Sequence, residues 1–286
     1  MTTPLQRARD AFAATHPETR IDLHGRDWGV IDMGGAGPAL LLIPGTLGRG
    51  DIFWQQMAAL RERMRLIAVS YPATGGVPEW ADDMALLLDR TGIASAGVLG
   101  SSLGGYLAQY MAARHPERIT RLFAANTLHS VDGLDARPPY ASDLDAGPIE
   151  TLRAGFGDAL RAWGAAHPEQ GDLVALLLAE SGGRIPEPEL RTRLKAIKHG
   201  PELPPLPEAL RGRCITIEAD DDPLIPATMR DAVRTRLQPA RSYRFQWGGH
   251  FPYVVRPDLY TAILSFETGL SGDLAGWHVT DEGRVA

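Results

Sequence analysis

The sequence predicts an α/β unit built on a mostly parallel, doubly wound sheet with a helical cap inserted into it. Three observations carry that expectation. Short apolar runs alternate with helical stretches, a long proline-broken segment interrupts the alternation once, and a glycine-rich turn joins a strand to a helix around a serine. At 286 residues the chain is long enough to bury roughly 73% of its extended surface in one large core. Its 31 glycines and 22 prolines together stay below the roughly 25–30% at which a chain reads as disordered.

The elements follow in order. Segments 20–24 and 29–33 read as a short hairpin that adds an antiparallel edge. The runs 39–43, 66–69, 97–99, 121–125, 214–217 and 243–247 are continuous apolar stretches, the pattern of strands covered on both faces. Helices are expected at 52–63, 80–90, 103–114, 227–237 and 257–268, and right-handed crossovers of this kind give a parallel sheet. Residues 1–130 and 210–270 are therefore assigned to the core.

Between them, 131–209 is broken by prolines such as Pro138, Pro148, Pro186 and Pro204. Three amphipathic helices fit there. Ile149, Leu152, Phe156, Leu160 and Trp163 share one helical face, Leu173, Val174, Leu176, Leu177 and Leu178 mark a second helix, and Leu190, Leu194 and Ile197 a third. The segment reads as a cap; the alternative is an ordinary helical connection that never touches the site. Residues 271–286 read as a loosely held polar tail, apart from Trp277 and Val285.

Charge and composition exclude several functions. A net charge of −6, from 29 basic and 35 acidic residues, offers no basic stripe for nucleic acid. The single Cys214 rules out an internal disulfide framework and a cysteine-rich zinc site, and the start Met1-Thr2-Thr3-Pro4 lacks a signal-peptide core. A cytoplasmic protein is expected. Residues 91–113 carry no charge, but five glycines and three serines make them too polar for a membrane span. No phosphate loop, dinucleotide fingerprint or H-E-x-x-H is present, so no cofactor and no metal are expected.

The chemistry centres on Gly100-Ser101-Ser102-Leu103-Gly104, a G-x-S-x-G between strand and helix. Such a turn strains its central residue and needs small neighbours two positions away. It presents the Ser102 hydroxyl above the sheet edge, beside free amides at a helix N-terminus that suit an oxyanion. Serine at its ordinary pKa needs a base, and the base an orienting carboxylate, in the chain order Ser, Asp or Glu, His. Asp222 after the strand 214–217 is the chosen acid, with Asp221 the alternative. His250, behind Gly248 and Gly249, is the base. The loop Pro44-Gly45-Thr46-Leu47-Gly48 supplies a second oxyanion amide at Thr46, beside that of Leu103. Leu47, Ser101, Phe156, Trp163 and Phe251 are expected against the substrate, and His129 is a further candidate for the pocket wall.

Several blocks together resemble the α/β-hydrolase superfamily, and more narrowly its maspardin-type branch. They are Ile43-Pro44-Gly45-Thr46 with Asp51-Ile52-Phe53-Trp54, Ser70-Tyr71-Pro72, Gly100 to Gln109, and Gly248-Gly249-His250-Phe251-Pro252-Tyr253. The resemblance implies the α/β-hydrolase fold. Maspardin, regarded mainly as a protein-binding member, has asparagine where this chain has His250, so the Ser102, Asp222 and His250 set argues for catalysis. The expected function is a cofactor-free serine hydrolase acting on a small-molecule carboxylic ester or lactone, as a monomer or homodimer. The alternatives are a carbon–carbon bond hydrolase or lyase on the same triad, and a non-catalytic binding module.

Overall fold

The computed structural model describes residues 2–274 and 284–285. Helix α1 (Pro4–Thr15) comes first and was not expected from the hydrophobic pattern. Its signal is local: Thr3 caps the helix, and the Gln6 side chain returns a bond to the Thr3 amide, a reciprocal pair that satisfies two otherwise orphaned donors. The hairpin of β1 (Thr19–Leu23) and β2 (Arg26–Asp32) pairs antiparallel, and β2 continues antiparallel onto β4 (Arg65–Ser70). The parallel body comprises β4, β3 (Ala39–Ile43), β5 (Ala96–Ser101), β6 (Ile119–Ala125), β7 (Cys214–Ala219) and β8 (Arg241–Phe245). Two residues of β9 (Arg284–Val285) close the far edge.

Alternation along these strands sets the layers. In β3, Leu40 and Leu42 join the apolar cluster on one face, Leu41 and Ile43 that on the other. In β4, Leu66 and Ala68 face one way, Ile67 and Val69 the other. The helices α2 (Trp54–Leu60), α3 (Val77–Arg90), α4 (Leu103–Arg114), α8 (Ala227–Leu237) and α10 (Pro257–Glu267) cover these faces. Three further helices, α5 (Ile149–Ala166), α6 (Gly171–Ala179) and α7 (Glu187–Lys198), lie between β6 and β7, and the one-turn α9 (Pro252–Val255) follows β8.

Three expected elements are corrected. The strand expected at 243–247 runs two residues earlier, because Tyr243 and Phe245 are buried while Trp247 is 46% exposed. The helix expected at 52–63 divides into a 3₁₀ turn at Gly50–Phe53 and the shorter α2. Much of the tail at 271–286, including Trp277, lies outside the described residues, but its segment 284–285 pairs with Arg244 and Phe245 and is not a free end there.

Strand order is β1-β2-β4-β3-β5-β6-β7-β8-β9. From β3 the chain first moves to β4 on one side and then to β5 on the other, so the order reverses between β3 and β5. Ligands of open α/β sheets bind outside the carboxyl ends of strands at such a switch point. The turns holding Thr46 and Ser102 leave those two ends.

A buried ionic seam joins α1, the first 3₁₀ turn and the segment linking α6 to α7. Arg9 pairs with Glu180, and Arg184 bridges Glu180 and Asp51. Breaking such a pair from one side costs about 3–5 kcal/mol, so the helical insertion is anchored here by charge as well as by leucines.

Candidate active site

Ser102 adopts φ +55°, ψ −119° between β5 and α4, a conformation L-residues occupy only under constraint. The constraint is visible. The Ser102 amide donates to the Ala125 carbonyl at 3.0 Å, and its carbonyl accepts from the Tyr106 amide at 3.0 Å and from Thr127 Oγ1 at 2.7 Å. The flanking glycines are required by contact: a methyl at Gly100 would collide with the Gly104 carbonyl, and one at Gly104 with the Ile43 carbonyl.

His250 and Asp222, 28 residues apart, meet at the ends of β8 and β7. Nδ1 of His250 lies 2.9 Å from Oδ2 and 3.1 Å from Oδ1 of Asp222. Oδ1 also accepts from the amides of Leu224 (2.8 Å) and Ile225 (3.1 Å), and Oδ2 from Asn126 Nδ2 (2.9 Å). Burial alone would raise the Asp222 carboxyl; His250, Asn126 and the Leu224 amide together outweigh burial and hold it below its ordinary value. Asp221 does something different: its carboxylate accepts from the amides of Gly248 and Gly249 at 2.8–3.2 Å. It ties down the loop that carries His250 and does not touch the imidazole. Asp220 pairs with Arg244.

The turn after β3 is held from outside the cavity. Its Pro44 carbonyl accepts from Tyr71 Oη at 2.8 Å, and Arg193 Nη1 donates to the carbonyls of Thr46 (3.1 Å) and Gly48 (2.7 Å). Arg193 comes from α7, is fully buried, pairs with Glu189 and sits 5.1 Å from the Tyr71 ring centre. Burial pulls its guanidinium down to about 10. With the carbonyls taken, the Thr46 amide and the Leu103 amide, the first of α4, have no acceptor among the described residues, and both residues line one cavity with Ser102 and His250.

That cavity measures about 500 Å³. Leu47, Phe156, Trp163 and Phe251 line it, and α5 and α6 form much of its wall. Ser101 does not: it ends β5 with its side chain buried and outside the wall, because strand alternation turns it away from its neighbour's direction. His129 is likewise absent from the wall, whereas Leu128 and Leu134 on either side contribute to it.

A family model described as the alpha/beta hydrolase fold matches residues 38–257. The chain belongs to the α/β-hydrolase family. This hydrolase is 29% identical over 263 residues, 84% of its length, to RutD of Azorhizobium caulinodans, provisionally named a carbamate hydrolase, of which it covers 95%. It is 25% identical over 279 residues to maspardin of Mus musculus, covering 88% of this chain and 84% of maspardin. Among solved structures, the enol-lactonase of Burkholderia xenovorans LB400 superposes with a TM-score of 0.75 at 18% identity, over 88% of this chain and all of the lactonase.

Three side chains in the hydrolase were missed by the sequence reading. Asn126, at φ +41° directly after β6, holds Asp222 and the Gly249 carbonyl (3.2 Å); its only sequence signal is an Asn, tolerant of that conformation, at a strand end. Arg193 stands three residues after Leu190 and four before Ile197 on the buried face of α7; the spacing places it inside, but its charge speaks for solvent. Tyr140 lines the cavity, where burial raises its phenol and the Thr46 hydroxyl beside it acts in the opposite sense. No helix among the described residues is long and apolar enough to cross a membrane.

Proposed function

We propose that the protein is a serine hydrolase that cleaves a small-molecule carboxylic ester or lactone through an acyl-enzyme on Ser102. The observation that carries this reading is the Asp222–His250 pair facing the same cavity as a strained serine at a strand–helix turn. His250 Nε2 takes the Ser102 proton as Oγ bonds to the acyl carbon. The amides of Thr46 and Leu103 receive the oxyanion. Collapse of the tetrahedral intermediate breaks the bond to the alcohol oxygen, which leaves with the proton from His250; water then repeats the sequence and returns the acid and free Ser102. Asp222 keeps the Nδ1 proton in place and stabilises the imidazolium. Among the described residues no hydrogen bond joins Ser102 to His250, and such pairs commonly tighten only when substrate is bound.

On this reading 131–209 is a cap over the core of 1–130 and 210–270, supplying apolar walls through Phe156, Leu160 and Trp163. The name of the enol-lactonase whose structure superposes on this chain agrees with the reaction class. The test is intact-mass labelling with a fluorophosphonate, which needs an activated serine and no knowledge of the substrate. Wild-type protein should gain one phosphonyl group, and Ser102→Ala and His250→Asn should gain none. Labelling that persists in Ser102→Ala, or a wild-type chain that stays unlabelled, overturns the assignment, and the latter result favours a binding module.

A further inference from the structure

The cavity wall contains one neutral donor whose orientation is fixed. Gln170 is 5% exposed and lines the cavity. Its Oε1 accepts from Trp163 Nε1 at 3.2 Å. An indole can only donate, so the amide oxygen must face it, and the NH₂ group is turned the other way. That Nε2 has no acceptor among the described residues, yet it is not one of the fully enclosed orphan atoms: it keeps some accessible surface on a residue that lines the cavity. No carboxylate lines the wall to compete for it.

The pair also has a defined place relative to the base. A Cβ added at Gly249 would stand 3.4 Å from Trp163 Cζ2 and 3.7 Å from Gln170 Oε1, so both side chains rest against the backbone directly before His250. The base must reach the departing oxygen to return its proton, and whatever lies beside His250 lies beside the leaving group. A substrate filling the cavity takes water from this Nε2, and a donor buried without a partner costs about 1–3 kcal/mol, so a substrate able to satisfy it is favoured over one that cannot.

We propose that Gln170 Nε2 is a substrate-binding donor on the leaving-group side of the site, and that the hydrolase prefers esters whose alcohol portion carries a carbonyl oxygen near the scissile bond. This rests on the serine-hydrolase reading above. Acetonyl butyrate and methallyl butyrate differ only by a carbonyl oxygen in place of a methylene group, and Gln170→Leu and Gln170→Met remove the donor, the second keeping an unbranched side chain against Trp163.

The wild-type preference for the acetonyl ester, measured as kcat/KM, should fall about fivefold in both variants, within the range of one neutral hydrogen bond. The methallyl ester, which offers Nε2 nothing, reads the lost Trp163 bond and any loss of packing in the same variants, so the fivefold fall is taken on the ratio of the two esters. An unchanged preference in variants that still turn over both esters overturns the proposal. If the wild-type protein hydrolyses neither ester and is not phosphonylated, the serine-hydrolase reading fails instead. The donor is then decided by calorimetric binding of phenoxyacetone against methallyl phenyl ether, where the same fivefold selectivity should appear and be lost in the variants, and its absence from the wild type overturns the proposal.

Discussion

Replacing Asp222 by asparagine should disable His250 without displacing it. Oδ1 of Asp222 receives the amides of Leu224 and Ile225 at 2.8 and 3.1 Å, so an oxygen must remain there. The new NH₂ group therefore falls at the Oδ2 position, facing His250 Nδ1 and Asn126 Nδ2. Asn126 can adapt by turning over, since its Oδ1 has no partner, at the cost of its bond to the Gly249 carbonyl. His250 adapts by accepting at Nδ1, which moves its proton to Nε2 and leaves no lone pair for Ser102. The same tautomer error in a serine-protease triad costs about 10⁴ in rate. We expect kcat/KM and the phosphonylation rate to fall about 10³–10⁴-fold, roughly 4–5.5 kcal/mol at 1.36 kcal/mol per decade. Asp221→Asn is the control. One oxygen there can keep both the Gly248 (3.0 Å) and Gly249 (2.8 Å) amides, so activity should stay within about tenfold. Parallel phosphonylation kinetics and circular dichroism decide the matter. The reasoning is refuted if Asp221→Asn is as damaging as Asp222→Asn, or if folded Asp222→Asn keeps more than about a tenth of wild-type activity.

Four further outcomes are expected. Ser102→Gly should lose all turnover while gaining about 1 kcal/mol of stability, because glycine accepts the φ of +55° without strain; a lower Tm in calorimetry would contradict the account of the turn. Arg193→Met should cost about 1–3 kcal/mol by leaving the buried Thr46 and Gly48 carbonyls without their donor, Glu189 keeping Arg49 at 3.3 Å, and should slow phosphonylation more than tenfold by loosening that turn; urea unfolding and labelling kinetics read the two effects separately. The depressed Asp222 carboxyl contributes stability above the unfolded value near 3.9 that is lost as pH falls through its lower folded value. The wild-type advantage over Asp222→Asn in urea should therefore shrink below about pH 4, and a constant gap from pH 7 to pH 3 would falsify the linkage. Burial pushes the Cys214 thiol up to about 11, so a thiol reagent at pH 8 should react with native protein about a hundredfold more slowly than with a free thiol near 8.5, and fully once the protein is unfolded.

Much of the architecture was legible because strands and helices write their periods into the chain. The bounds of β3, α4 and α8 coincide with the expected ones, since glycine, proline or charge stands at or close to their ends. The strand β8 was misplaced by two residues because Trp247 is apolar but exposed, and hydropathy cannot distinguish a covered position from an uncovered one. Helix α1 escaped because its signature is a pair of capping bonds and not a stripe of apolar residues.

The candidate site divides in the same way. Its residue plan follows from residue types at the ends of successive strands, and Ser102, Asp222 and His250 could be named as candidates in the sequence because a parallel sheet brings those ends together in a fixed order. Which of two adjacent aspartates meets the imidazole depends on the path of one turn, where a single residue's step sends one carboxylate to His250 and the other to the amides of Gly248 and Gly249. The roles of Asn126, Arg193 and Gln170 could not be read from their neighbours in the chain. Each acts through a partner distant in the chain, 96 residues away for Asn126 and Asp222 and 147 for Arg193 and Thr46, or through the orientation of an amide against a neighbouring ring. Local sequence fixes period, caps and turns, because those energies are decided within a few residues. Which polar groups are paired, and which are left facing the cavity, is decided only when the packed chain removes water from all of them at once.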